Sequence, residues 1–482
     1  MQASLEIPLR EVQRRLGEDN PWWTAGNRDE PERAWPRRAY FAPFMRLLRE
    51  REVHRAIVLI GPRRVGKTVL LRQAIHSLLD DGIAGNTILY VALDTPLYAG
   101  LSLEAIVRTF ADLHRHPRDR PLWVFFDEVQ YLKDWQTHLK SLVDSFRSIR
   151  FVASGSAAAA LRLKSRESGA GRFTDFILPP LTFQEYLDFA RQESRLITDE
   201  QQAHGQPPSY GTGNILALNE EFVRYLNYGG FPEAVVNPSV REQPARFLRQ
   251  DIIEKVLLKD LPSLFGISNT QELNSFFNVL AYNSGAEVSP EALSRHSGVA
   301  KAKLLGYLEY LEAAFLVKRV HRIDESARRL QRARTFKVYL TNPSVRAALF
   351  GLIRGDDEAM GLLAETAVWS QWLHSAATIQ SLTYARWKQG RVDLEVDLIG
   401  LDPRLQKPRF AVEIKWSDKA VDDWSELRGL REFAALHRLQ RRPLVTTLTR
   451  ATRGTDGKLE IDFVPTSLHA YTIARNLLRS AA

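Results

Sequence analysis

The sequence predicts an α/β protein: a parallel sheet with helices on both faces comes first, then helical segments, then a second α/β domain. Three observations lead there. Residues 55 to 180 alternate short apolar runs with amphipathic stretches, the pattern of strands joined by crossover helices. A glycine-bearing loop separates the first apolar run from the first such helix. The last third of the chain returns to strands, one of which carries acids at every second position.

The first element is Ala56 to Ile60, a continuous apolar run that reads as a strand buried on both faces. Val69 to Leu79 follows with Val69, Leu70, Ala74, Ile75 and Leu78 at helical spacing. Between them, Gly61-Pro62-Arg63-Arg64-Val65-Gly66-Lys67-Thr68 matches G-x-x-x-x-G-K-[ST]. Strand, loop and helix in that order offer phosphate a ring of backbone N–H groups and the positive end of a helix dipole. A Cβ at 61 or 66 would hold the backbone away from the phosphate oxygens. Lys67 is expected to reach the β- and γ-phosphates and Thr68 to ligate Mg²⁺, with Gly61 through Val69 enclosing the nucleotide. The expected ligands are ATP and Mg²⁺.

Ile88 to Leu93 is a further core strand, and Pro121 to Glu128 another, ending in two acids. Open α/β sheets place ligands at such C-terminal strand ends. Asp127 is expected to hold Mg²⁺, mostly through water, and Glu128 to polarise the attacking water. Arg150 to Ser154 forms the next strand and runs into Gly155-Ser156. Ser154 or Ser156 is the polar residue expected between the acids and the γ-phosphate, with Ala157 to Ala160 starting a helix. Arg172, in Gly169-Ala170-Gly171-Arg172, has two readings: an arginine that reaches a neighbour's nucleotide site, or an ordinary surface residue.

At 482 residues the chain exceeds one hydrophobic core. A hydrophobic content of 44% with 26% charged residues is globular. No 18-residue apolar run is present, so no transmembrane helix or membrane partner is expected. Met1 to Glu18 is charged and amphipathic, unlike a secretory leader. With no cysteine, disulfides, thiolate catalysis and Cys-ligated metals are excluded, and the cytoplasm is the expected compartment. A net charge of +9, with arginine dominating the basic residues, moderately favours a polyanionic partner, and genome composition would give the same arginine bias. Nucleic acid, DNA ahead of RNA, is the expected macromolecular partner.

Five segments are expected. Residues 1–54 form an N-terminal extension holding Asn20-Pro21-Trp22-Trp23, with a helix from Phe44 to Glu52. Residues 55–181 form the nucleotide-binding core. Residues 182–264 are helical, a lid in which Gln192 to Tyr210 reads as an exposed insertion and Gly229 to Glu233 as a turn. Residues 265–335 read as a winged helix: helices from Leu273 and Ser289, a turn at Ser297-Gly298-Val299, a recognition helix Ala300 to Leu311 with Lys301 and Lys303 at its start, and a wing strand Phe315 to Val320. DNA binding and simple packing are both open for it. The basic run Arg328 to Arg334 suits phosphates or a solvated loop.

Residues 336–482 carry a second constellation. Glu365 lies in a helix, Gly361 to Leu373. Leu382 to Trp387 and Val392 to Ile399 read as a hairpin whose second strand puts Asp393, Glu395 and Asp397 on one face. Phe410 to Trp416 is the next strand, with Glu413 and Lys415 on one side. A helix carboxylate, Asp397 and Glu413-Ile414-Lys415 form the pattern of PD-(D/E)XK nucleases. Asp397 and Glu413 would hold Mg²⁺, Glu365 would complete the shell through water, and Lys415 would orient the attacking water. Asp393 and Glu395 read as a solvent face. Retained and lost cleavage are both open.

From Trp22 almost to its end the chain resembles bacterial and archaeal AAA-type ATPases with a P-loop domain and a C-terminal domain of unknown function. The markers are Trp22-Trp23, Gly61 to Thr68, Phe125 to Val129, Ser154 to Ala157, Gly171-Arg172, Pro180 to Tyr186, Gly229 to Pro232, Lys337-Val338-Tyr339 and the Glu365, Asp397, Glu413 and Lys415 set. The resemblance implies a STAND-like P-loop NTPase (AAA-type) sheet, a helical lid, a winged helix and a C-terminal restriction-endonuclease-like α/β domain. Asn342 departs from it, since such chains usually carry Asp there. The expected activity is Mg²⁺-dependent ATP hydrolysis coupled to conformational work on nucleic acid, in a homo-oligomer with the C-terminal module on DNA. The alternatives are an ATP-dependent signalling switch with an inactive C-terminal scaffold, and a metal nuclease regulated by nucleotide.

Overall fold

The computed structural model describes residues 8–24, 31–155, 171–200, 208–243, 245–324, 326 and 335–481. Ser156, Ala157 to Ala160, Gly169-Ala170 and Arg328 to Arg334 lie outside the described residues. The chain divides into two compact units, one ending at Leu178 and the other running from Pro179 to Ala481.

The first unit is a five-stranded sheet. Its strands are β1 (Ala56–Ile60), β2 (Ile88–Ala92), β3 (Leu122–Asp127), β4 (Ile149–Gly155) and β5 (Phe173–Ile177), in the order β2-β3-β4-β1-β5 and all parallel. β1 and β3 are buried at every position, which is why they read as unbroken apolar runs. Helices α1 (Leu9–Asp19), α2 (Phe41–Arg49), α3 (Lys67–Asp80), α4 (Leu103–His114) and α5 (Trp135–Ser145) accompany the sheet. The second helix begins at Phe41, three residues ahead of the expected start, and ends at Arg49. Ser102 caps α4 by accepting from the Ala105 N–H at 3.1 Å.

The N-terminal extension closes the open edge of the sheet. The Asn20 amide pairs with Tyr90 as a neighbouring strand would, donating to its carbonyl at 2.8 Å and accepting from its N–H at 2.6 Å. Trp22 and Trp23 both donate their indole N–H to the Ile88 carbonyl, at 3.2 and 2.8 Å. Three side chains thus satisfy backbone groups of β2 that an edge strand leaves bare.

In the second unit, helices α6 (Phe183–Phe189) and α7 (Ile215–Tyr228) lead to α8 (Thr270–Tyr282), α9 (Pro290–Ser297) and α10 (Lys301–Ala313). A Thr182–Glu185 capping box starts α6. Gly298, at φ 71°, ends α9. The expected wing strand begins at Val317, as β6 (Val317–Ile323), because Phe315 sits in the left-handed region at φ 58° and ends the helical chain direction first. β7 (Phe336–Leu340), α11 (Ser344–Phe350), α12 (Met360–Gln371), β8 (Leu382–Gln389), β9 (Val392–Leu401), β10 (Pro408–Glu413), α13 (Arg428–Leu436), β11 (Leu444–Thr447), β12 (Thr452–Thr455), β13 (Glu460–Pro465) and α14 (Thr466–Ala481) follow.

These strands form one nine-stranded sheet, β12-β13-β11-β10-β9-β8-β6-β7 with the short Glu287–Val288 strand at its edge. β6 and the C-terminal strands therefore share a sheet, joined by parallel pairing of Tyr384 with Arg322. Of residues 192–210, read from sequence as an exposed insertion, the described ones are partly packed. Leu196 and Tyr210 are buried, the Tyr210 and Tyr471 rings meet edge to face at 5.2 Å, and Tyr471 donates to Glu193 at 2.6 Å. Polar composition concealed two buried anchors.

Candidate functional site

Parallel pairing lines up the functional strand ends of the first unit. Leu59 of β1 is opposite Ser154 of β4, and Ala153 of β4 is opposite Phe126 of β3. The loop after β1, the end of β4 and Asp127 are therefore neighbours along one sheet edge. Gly66 takes φ 93° just ahead of α3, a conformation that suits glycine. At Gly61 a Cβ would stand 2.2 Å from the Leu178 carbonyl oxygen, so no larger residue fits that cradle. Pro62 and Val65 are buried, Arg63 and Val69 half-buried and Arg64 exposed at φ 64°. Arg38 of the extension donates to the Val65 carbonyl at 2.7 Å and braces the loop from behind.

Lys67 is buried and donates to the carbonyls of Gly61 at 3.1 Å and Pro62 at 2.8 Å. Its ammonium is thus held over the loop that the sequence marks for phosphate. Asp127 is the hub. One carboxylate oxygen accepts from Thr68 Oγ1 at 2.7 Å and from the Tyr90 hydroxyl at 2.8 Å. The other accepts from Ser154 Oγ and, at 3.1 Å, from the Glu128 N–H. Burial first, and the Asp127 charge second, push the Tyr90 phenol well above its ordinary range, so it stays a neutral donor.

Glu128 turns out of β3 at φ 56° and accepts from the Gln130 amide. Arg172 is ion-paired with Asp144 through its Nε and is half exposed. Thr68 and Ser154 thus meet on the Asp127 carboxylate beside the Glu128 N–H, and Lys67 is held on the Gly61 loop. Tyr90, Arg38 and Gln130 are partners that motif reading missed, because each acts from an unremarkable position. A tyrosine in a buried strand beside an acidic strand end was the available signal.

The carboxylates of the second unit are also brought together, but around a lysine. The Lys337 ammonium, buried on β7, lies 2.8 Å from Glu365 Oε1, 2.5 Å from Glu395 Oε1 and 3.8 Å from Asp397 Oδ1. Tyr339 donates to the same Glu365 oxygen at 2.5 Å. Asp397 Oδ2 accepts from the Ile414 N–H at 2.8 Å. Lys415 donates to Glu413 Oε1 at 2.8 Å, while Glu413 Oε2 is buried without a partner among the described residues. Burial, partly offset by Lys337, raises the Glu365 carboxyl above the ordinary carboxylate range. Burial and the Asp397 charge, opposed by Lys415, push Glu413 up to about 8.

Two sequence expectations change here. Glu395, read as solvent-facing, is half-buried and paired with Lys337. Glu365, Asp397 and Glu413 were expected to form a metal shell. Among the described residues no group of three or more His, Asp or Glu side chains is disposed to hold a metal ion. The reason is electrostatic: the Lys337 ammonium already occupies the cation position between Glu365 and Asp397. The donor set as arranged does not fit a three-carboxylate metal centre. Lys301 and Lys303, for which phosphate contact and simple packing were both open, are ion-paired with Glu291 and Glu272.

The shift at Glu413 has a measurable consequence. Between the ordinary carboxyl value of 4.5 and about 8 the folded protein keeps a proton that the unfolded chain has released. Stability is then present below that window and is lost as pH rises through it. Glu413→Gln, which keeps the acceptor for Lys415, is expected to flatten the fall in melting temperature between pH 6 and 9 and to raise it at pH 9. An unchanged pH profile in the variant would contradict the assigned proton.

A sheet whose central strands deliver a glycine loop with lysine and threonine on one side, and two acids on the other, has P-loop NTPase geometry. Comparison with known proteins agrees with that class. Residues 53–187 match the family model described as "AAA domain". Residues 219–356 match one described as "Domain of unknown function (DUF8612)". An uncharacterized protein of Haemophilus influenzae is 26% identical over 275 residues, covering 55% of this chain and 62% of that protein. An uncharacterized protein of Methanocaldococcus jannaschii is 24% identical over 384 residues, covering 77% of this chain and 78% of its own length. The chain thus spans less than two thirds of the Haemophilus relative. The structure of AMPPCP-bound DnaA from Aquifex aeolicus is 12% identical, with a TM-score of 0.29, over 61% of this chain and 92% of that one. Superposition at that level carries no inference. No helix among the described residues is long and apolar enough to cross a membrane.

Proposed function

We propose that the chain is a Mg²⁺-dependent ATPase that couples hydrolysis to conformational work on nucleic acid. The observation that carries the ATPase reading is the convergence of Lys67, Thr68 and Ser154 on the Gly61 cradle and the Asp127 carboxylate. When bound, Mg²⁺ neutralises β- and γ-phosphate oxygens; Thr68 Oγ1 and Asp127, 2.7 Å apart, are the pair that would hold it. The loop N–H groups and the Lys67 ammonium stabilise charge on the transferring phosphoryl group. Glu128 takes the proton of the attacking water, and Ser154 registers the γ-phosphate through its bond to Asp127. Arg172 completes a neighbouring subunit's site in a homo-oligomer, exchanging Asp144 for phosphate. Residues 265–335 act as a winged helix and the C-terminal sheet as a nuclease-like DNA-binding module, both in the cytoplasm. The lysine within the carboxylate cluster supports scaffolding over cleavage.

One observation favours a second reading, a slow ATP-dependent switch. Gln130 holds the Glu128 carboxylate, so the proposed base is restrained in this state. The two readings differ in response. ATP turnover measured with single-stranded DNA, double-stranded DNA and RNA is expected to rise severalfold with at least one of them. A flat response to all three sinks coupling to nucleic acid and leaves the switch. Cleavage of DNA by the wild type in Mg²⁺ or Mn²⁺, abolished by Asp397→Ala, would instead restore the nuclease.

A further inference from the structure

All five strands of the first unit are parallel, so their N-terminal ends share the sheet edge opposite the Gly61 loop. Five residues of β1, at about 3.3 Å each, put some 17 Å between the two edges. Two cavities open along this far edge. One, of about 400 Å³, lies against Arg115 to Arg120 and the start of β3. The other, of about 70 Å³, lies against Arg51 to Arg55 and the start of β4. They meet at Phe146 and Ile149, which line both.

The cavity lining is predominantly basic, with Glu52 and Asp119 of the same loops outside it. Arg55, Arg108, Arg115, Arg118, Arg120 and Arg147 line the cavities and are exposed. Among the described lining residues Asp112 is the only acid, and none is lysine. Of the six arginines only Arg108 has a carboxylate partner among the described residues, Glu104. Like charges do not gather unpaired without cost, and here the loops are braced to hold them. The buried Arg150 guanidinium donates to the carbonyls of Val53 at 2.9 Å and Arg55 at 3.0 Å. Arg51 stacks over Trp123, 4.0 Å from the ring centre. Ser148 Oγ donates to the Arg118 carbonyl at 2.6 Å. Because β3, β4 and β1 are consecutive in the sheet, the three loops stand in a row at roughly 4.8 Å strand spacing.

We infer that this edge binds the phosphodiester backbone of nucleic acid, without reading bases, on the side of the ATPase unit away from the nucleotide. A backbone presents a negative charge every few ångströms, and guanidinium groups pair with phosphate oxygens two at a time. The inference rests on the reading that the chain works on nucleic acid, and it names where that polymer is held.

The test uses the full chain and labelled 30-nucleotide duplex DNA, single-stranded DNA and RNA, with affinity followed from 50 to 300 mM NaCl. Arg115→Gln/Arg118→Gln/Arg120→Gln, and separately Arg55→Gln/Arg147→Gln, are exposed changes that leave basal ATP turnover intact. The triple variant is expected to lose at least tenfold in affinity at low salt. Its slope of log affinity against log salt should become shallower by about 2 to 3, one unit per lost phosphate contact. Wild-type binding with unchanged slope in both variants overturns this edge while leaving nucleic-acid work standing. No wild-type binding to any of the three polymers overturns both. Wild-type binding to phosphatidylserine vesicles but to no nucleic acid assigns the edge to lipid headgroups and overturns the inference.

Discussion

Replacing Lys67 by alanine is expected to lower ATP turnover by on the order of 100- to 1,000-fold, about 3 to 4 kcal/mol of transition-state stabilisation. The reason is local. Its ammonium is buried and held over the loop by two loop carbonyls, so its removal takes away the cation placed beside the transferring phosphate. Water would take its place at the Gly61 and Pro62 carbonyls, so the fold should survive. Asp127→Asn serves as the parallel variant, since it removes the charge shared by Thr68, Tyr90 and Ser154. Steady-state phosphate release, with circular dichroism to verify folding, decides the matter. Wild-type turnover by a folded Lys67→Ala chain would reject the site.

The nucleotide edge was legible because its signals are local. Gly61 to Thr68 is contiguous, and the apolar runs at Ala56–Ile60 and Leu122–Asp127 are buried throughout, so continuous hydrophobicity and strand coincide. The supports were not legible, because they come from far along the chain. Tyr90 reaches Asp127 from the neighbouring strand, 37 residues earlier in the chain, and Asn20 mimics a strand partner from a segment with no strand pattern. In the second unit periodicity placed Asp393, Glu395 and Asp397 on one face, but it did not reveal what covers that face. Lys337 does, and the alternation that marks a solvated strand also marks one roofed by a buried cation. Pairing partners across a nine-stranded sheet are set by register, which no single strand encodes.

That roof makes Lys337 the most sensitive position of the second unit. Lys337→Met keeps the apolar stem and removes the charge. Glu365 and Asp397, both buried, then face each other without the cation that lies between them, and Glu395 loses its nearest one. Breaking a buried ion pair from one side costs about 3–5 kcal/mol, so a fall in melting temperature of roughly 6–10 °C is expected. The loss should shrink at acid pH. Burial lowers and the Glu365, Tyr339, Asp397 and Glu395 charges raise the affinity of Lys337 for its proton, with a net rise, so the wild type keeps the ammonium throughout the working range. In the variant the carboxyls alone titrate, and protonating them as pH falls removes the repulsion. Lys337→Met/Glu365→Gln should therefore recover much of the stability at neutral pH, since the second change deletes the charge the first one orphaned. Calorimetry of the single and double variants at pH 5.5 and 8 measures this directly. Equal losses in both, independent of pH, would mean that Lys337 contributes packing and not charge. A divalent cation that restores the melting temperature of Lys337→Met, but leaves the wild type unmoved, would further show that the lysine stands where an ion can bind.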